Sequence, residues 1–171
     1  RQLRSAGVDW PLTQWSLADS ARVLLLLEAV GRLPRIELVA LVERTFRQGD
    51  ARERAAVALA LPLLEPPPAF LALALGAGRS SEPPVFEALA CDNPYPAAQF
   101  PDPGFTELVM KAVRLGVPMA RIFGLGRRVT AELCRQAADY ALEQIRAGRT
   151  VAADLALLKR ESPGEEAAPV G

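Results

Sequence analysis

The chain has 171 residues, half of them apolar, with 20 basic and 20 acidic side chains and no histidine. That length accommodates one domain with a sizeable core. The balanced charge argues against nucleic-acid binding, which draws on a concentrated positive field, and the missing histidine removes Ser-His-Asp and Cys-His catalysis and histidine metal ligation from these residues.

The first fifteen residues, with Trp10 and Trp15 around Pro11, read as an irregular arm whose tryptophans pack on the body. Ser16 and Asp19 have the spacing of a capping box, so a helix should run from there to Val30 and stop at Gly31. Its "VLLLLEAV" segment is apolar nearly all round, which predicts a central position. Pro34 opens a second helix to about Arg47, with Ile36, Val39, Ala40 and Val42 inward. Asp50 and Glu53 cap a third, over about 51–64.

"AAVALALPLLEPPPAFLALALGAG" (Ala55–Gly78) is the most apolar stretch, but Glu65 and three prolines divide it into two runs. Each is shorter than the roughly twenty residues a bilayer requires, which predicts two buried helices joined by a proline turn, the second over about 67–77. Another helix follows over about 83–90.

"CDNPYPAAQFPDPGF" (Cys91–Phe105) then interrupts the pattern with four prolines and three aromatic residues. Asp and Asn before proline favour turns, and Pro94 and Pro96 are expected to hold Tyr95 extended. Asp102 and Pro103 should start the next helix. Its apolar stripe is Phe105, Leu108, Val109, Ala112 and Val113, and Glu107 and Lys111 stand four apart, in reach of each other. After Gly116 come a short helical segment, "PMARIF", and the turn "GLGRR". Thr130 caps a long helix to about Ala147, with Leu133, Ala137, Tyr140, Ala141 and Ile145 inward. A last short helix, "VAADLALLKR", precedes a tail over 161–171 with too few apolar residues to order itself.

These elements define an all-α protein, expected as a curved stack of about eight antiparallel helices in the manner of a HEAT-like superhelix. The expected organisation is the arm 1–15, one helical domain over 16–160, and the tail. Cys91 and Cys134 form neither a disulfide framework nor a metal cluster and suit a reducing cytosol. No phosphate-binding glycine loop is present. Neither a cofactor nor a metal site is expected.

"FEALACDNPYPAAQF", "ELVMKAVRLGVPMARIFGL" and "ELCRQAADYALEQIRAGRTV" resemble the corresponding blocks of the EboA-like proteins. The resemblance covers the carboxyl half; the amino half shares only a Leu- and Ala-rich helical character. The family pattern carries an acid after "GL" and Asn-Pro before "EL", where this chain has Gly126 and Val129-Thr130. EboA-like proteins are encoded in bacterial secondary-metabolite clusters beside a UbiA-like membrane prenyltransferase, and no reaction is established for them. The resemblance therefore implies a non-catalytic helical adaptor in metabolite biosynthesis or export. It would be cytoplasmic, with cluster-encoded partners that include the prenyltransferase and could bring it to a membrane surface.

The candidate ligand- or partner-binding residues are Asp92, Asn93, Tyr95, Phe100, Phe105, Lys111 and Arg128, with no catalytic residue assigned. The alternative function is a protein or enzyme that binds a prenylated or aromatic metabolite through the Asp92–Phe105 loop. In that reading Tyr95, Phe100, Phe105 and Lys111 line a groove and Asp92 is the acid. The plainer reading of the loop is a plug between two helical hairpins.

Overall fold

The computed structural model describes the backbone of residues 2–5 and 8–11 and the chain from 15 to 158. The expected tail at 161–171 and the side chains of residues 1–14 of the arm lie outside the described residues. Within the arm, Gln2–Ser5 (β1) and Val8–Pro11 (β2) pair as an antiparallel ribbon with Leu3 opposite Trp10, so the arm is not irregular throughout. Everything else among the described elements is helical. Trp15 packs against the core, as expected.

The capping signals fall where the sequence places them. Ser16 and Asp19 exchange hydrogen bonds at the head of α1 (Leu17–Val30). α2 (Arg35–Gln48) follows Pro34. Asp50 and Glu53 repeat the reciprocal arrangement at α3 (Ala51–Ala60).

α3 is shorter than expected because Pro62 cannot donate the next backbone bond, and the chain tightens into a 3-10 turn, Leu61–Leu63. The second run likewise opens with a 3-10 turn, Pro67–Phe70, before α4 (Leu71–Arg79). α5 (Pro83–Ala90) carries its two prolines in the first turn, where no N–H is needed.

The centre of the fold is α3. It packs on α1, α2 and α5, and Ala55, Ala56, Val57, Ala58 and Ala60 are all buried. Small side chains let several neighbouring backbones approach one helix. α1 is the element misplaced by its sequence: only Val23 and Val30 are buried, and Leu24 and Leu25 are 65% and 72% exposed. Its unbroken leucine run covers every face of the helix, but the packed face needs only a stripe. Ile36 in α2 and Ile145 in the last long helix are also exposed, at 81% and 63%, against expectation. Both lie near helix ends, where the neighbouring elements no longer cover them.

The second half contains α6 (Tyr95–Gln99), α7 (Asp102–Leu115), α8 (Leu125–Arg128) and α9 (Ala131–Arg146). α7 buries the predicted stripe of Phe105, Leu108, Val109, Ala112 and Val113. Thr130 caps α9 by accepting from the Leu133 backbone N–H. Met119–Arg121 and Ala153–Leu158 are 3-10 turns rather than α-helix. No helix among the described residues is long and apolar enough to cross a membrane.

Gly124 has φ +71°, and a Cβ there would lie 2.9 Å from the Ala97 Cβ. Gly76, inside α4, would place its Cβ in open space. Gly124→Ala should therefore cost at least about 1–2 kcal/mol, whereas Gly76→Ala should add about 0.5–1 kcal/mol. Urea unfolding of the two variants beside the parent checks the opposite signs.

Candidate functional site

The central block starts where α5 ends. Cys91 forms an isolated bridge with Ile122, and the Asp92 N–H donates to the Arg121 carbonyl at 2.7 Å. Asp92 takes a left-handed conformation, φ 54°, one that Asp tolerates better than most residues. Its carboxylate accepts from Arg121 Nε at 3.0 Å.

Asn93 is 3% exposed. Its Nδ2 donates to the carbonyls of Ala58 (3.0 Å) and Ala88 (2.9 Å), while Oδ1 accepts from the Tyr95 N–H at 3.0 Å. One side chain thus ties α3 to α5 and starts α6.

Tyr95 is not extended between its prolines; it is the first residue of α6. The fixed φ of Pro94 suits the residue before a helix, and Pro96 falls at the second helical position, where a missing N–H costs nothing. The Tyr95 ring is 2% exposed and its hydroxyl donates to the Pro67 carbonyl. Burial pushes the phenol up to about 12. Phe100 and Phe105 are core residues.

Asp102 does not cap α7. It lies inside the helix, and the residue before it, Pro101, has no side chain able to cap. The Asp102 carboxylate instead accepts from Arg128 Nη2 at 3.0 Å. Arg128 also donates to the carbonyls of Ala97 and Phe100, at the end of α6, and sits 4.7 Å from the Phe105 ring centroid.

Lys111 turns inward, toward α4 rather than the central block. Its Nζ donates to the carbonyls of Gly78 (3.1 Å) and Ser80 (2.7 Å) and lies 4.6 Å from the centroid of Phe86. Desolvation lowers its pKa below the usual lysine value, partly offset by Glu107. The expected Glu107–Lys111 pair does not form as a salt bridge, since Glu107 accepts from Arg79 Nη2 at 2.8 Å.

The seven candidates therefore do not converge on one groove. Phe100, Phe105 and Arg128 gather around the end of α6; Asn93 and Tyr95 lock into α3, α5 and the Pro67 turn; Lys111 closes α4. The expected groove lined by Tyr95, Phe100, Phe105 and Lys111 is packed interior. Of the seven, Asp92 lines a cleft of about 250 Å³ over the seam of α3 and α5. Trp15, Arg52, Glu87, Cys91 and Arg121 also line it, and none was among the candidates. The spacing of Arg52, Ala55 and Leu59, matched by Pro84, Glu87, Ala88 and Cys91, puts each set on one helical face. That periodicity was available in the sequence; the pairing of the two helices was not. Burial pushes the Cys91 thiol up to about 11, despite the nearby Arg121 guanidinium, so it is a poor nucleophile at neutral pH. No group of three or more potential metal ligands occurs among the described residues.

These observations define a helical domain, preceded by a short β-ribbon, with an internally hydrogen-bonded centre. Residues 1–158 match the family model for EboA, described as metabolite traffic protein EboA, and the chain belongs to that family. The resemblance seen in the carboxyl-half blocks thus extends over the amino half. No curated protein and no solved structure matches the chain.

Removing the Asn93 amide leaves two carbonyls and one N–H without their partner. Asn93→Ala should lower unfolding free energy by about 3 kcal/mol or more, at about 1 kcal/mol or more for each of the three groups, and urea unfolding measures it. Tyr95 gives a second expectation. Its folded-state pKa of about 12 exceeds the ordinary value of 10.0, so the folded state holds that proton more tightly. The resulting stability is complete below the unfolded value and is lost as pH rises from there through the folded value. Urea midpoints across that window should fall less steeply for Tyr95→Phe than for the parent.

Proposed function

We propose that this protein is a non-catalytic helical adaptor in metabolite traffic, built to present a fixed surface to partners rather than to transform a substrate. The family description supports the traffic role. The observation that carries the adaptor reading is the use of the central polar groups. Asn93, Tyr95, Lys111 and Arg128 donate to backbone carbonyls of segments distant in sequence, which makes a brace.

The brace fits a HEAT-like superhelix, in which successive hairpins stack. In support, α1, α3, α5, α7 and α9 pack each on the next, with α2 and α4 against this row. In the proposed role the chain works at the cytoplasmic face of the membrane. Its partners are cluster-encoded proteins, among them a membrane prenyltransferase of the UbiA-like type. The alternative, a metabolite-binding protein or enzyme, has one observation in its favour, the cleft beside Asp92.

Two experiments on the native host separate these readings. Capture of the tagged chain in mild detergent should recover the cluster-encoded prenyltransferase. Complementation of a deletion strain with Asp92→Asn or Glu87→Gln should restore metabolite output to the parental level. Recovery of the chain without that partner, together with lost output in folded carboxylate variants, would replace the adaptor with a metabolite-binding protein or enzyme.

A further inference from the structure

The cleft over the α3–α5 seam is half-open and contains charged groups with unused hydrogen-bonding capacity. Glu87 is half-exposed, and the nearest cation, Arg121 Nη1, stands 3.8 Å from Oε2, beyond hydrogen-bond reach. Arg121, which lines the cleft, is held through Nε by Asp92, and its terminal N–H groups make no hydrogen bond among the described residues. Arg52 is exposed and forms no salt bridge among the described residues. The Asp19 carboxylate, which also lines the cleft, accepts from the Ser16 N–H and hydroxyl through Oδ2. Beneath these groups lie Ala55, Leu59 and Ala88, with Trp15 as a flat wall.

Two guanidiniums stand among the carboxylates of this cleft, Glu87 being the one without a hydrogen bond among the described residues, and this calls for a ligand head that carries both signs. A carboxylate on the ligand satisfies Arg52 and Arg121; an ammonium satisfies Glu87. The small apolar floor and the indole wall call for a compact apolar body. The volume, about 250 Å³, falls below the usual range for drug-sized ligands and suits a molecule of amino-acid size. We propose that this cleft binds a small zwitterion, an apolar or aromatic α-amino acid. It rests on the alternative, binding-protein reading rather than on the adaptor, and adds a ligand to it. Such a ligand would bridge α1, α3, α5 and the Asp92–Arg121 contact, and so would report metabolite level to any partner on that face.

The test uses the full chain, ¹⁵N-labelled, and reads the indole N–H signal of Trp15, assigned by Trp15→Phe. L-phenylalanine is titrated beside phenethylamine and 3-phenylpropionate, each of which retains one of its charges. L-phenylalanine should bind at least about tenfold tighter than either, the worth of one charge-assisted hydrogen bond. Glu87→Gln should remove its advantage over 3-phenylpropionate, and Arg52→Gln its advantage over phenethylamine. Both side chains are on the surface, so the variants should keep the parental unfolding midpoint. No shift of the Trp15 signal at millimolar probe, equal affinity for all three, or indifference to both substitutions overturns the proposal. If no probe binds while the prenyltransferase is still captured, the ligand is refuted and the adaptor stands; tight L-phenylalanine binding with no captured partner reverses that outcome.

Discussion

Asn93 is the residue on which the arrangement of the first five helices and the start of the sixth depends. α3 must end at Ala60 because Pro62 lacks an N–H, and that same lack leaves the Ala58 carbonyl without its helical donor. In α5 the Ala88 carbonyl is in the same position, since Asp92 turns its N–H to Arg121 instead. The Ala58 carbonyl is buried and the Ala88 carbonyl partly so, and a buried unmet acceptor costs about 1–3 kcal/mol. One primary amide supplies two donors and an acceptor in a plane, and Asn93 fits this need. An aspartate there would bring no donor, and a leucine would satisfy nothing.

The same solution recurs through the block. The last carbonyls of α4 accept from Lys111, and those of α6 from Arg128. Each cation meets the negative end of a helix, where charge and dipole agree, and each is backed by an aromatic ring. Partial desolvation opposes the Lys111 charge, but a neutral side chain would leave the α4 end uncapped. Short helices have a large share of orphan groups for their length. A chain of short helices broken by prolines therefore needs long polar side chains reaching back from distant positions, and the central block supplies them.

This explains which parts were legible. Caps such as Ser16–Asp19, Asp50–Glu53 and Thr130 are local hydrogen bonds, and local spacing reveals them. The α7 stripe is equally local. By contrast, the burial of α3 over α1 depends on which helix its neighbours surround, and Leu-rich α1 gives the stronger apolar signal while Ala-rich α3 gives the better packing. The central block was recognisable as special from its prolines and polar residues, but its chemistry was not. Asn93, Lys111 and Arg128 look the same in sequence whether they face a ligand or the end of a helix thirty residues away. Only the three-dimensional position of Ala58, Gly78 and Ala97 decides it.

The brace and the cleft meet at one residue pair. Asp92 closes the end of α5 through its backbone and holds Arg121 through its carboxylate, so the guanidinium at the cleft edge is positioned by the element that Asn93 anchors. A group in the cleft that pulled on Arg121 would pull on the Asp92 turn and, one residue on, on the amide joining α3 to α5. Because the packed residues beyond that point have little freedom to deform, such a pull would be opposed rather than absorbed. A stiff centre of this kind favours a cleft whose shape is set before anything enters it, which reduces the ordering cost of binding. The unusual backbone of Asp92 has a structural cause in the exit from α5, and its consequence falls at the only candidate residue that borders the cleft.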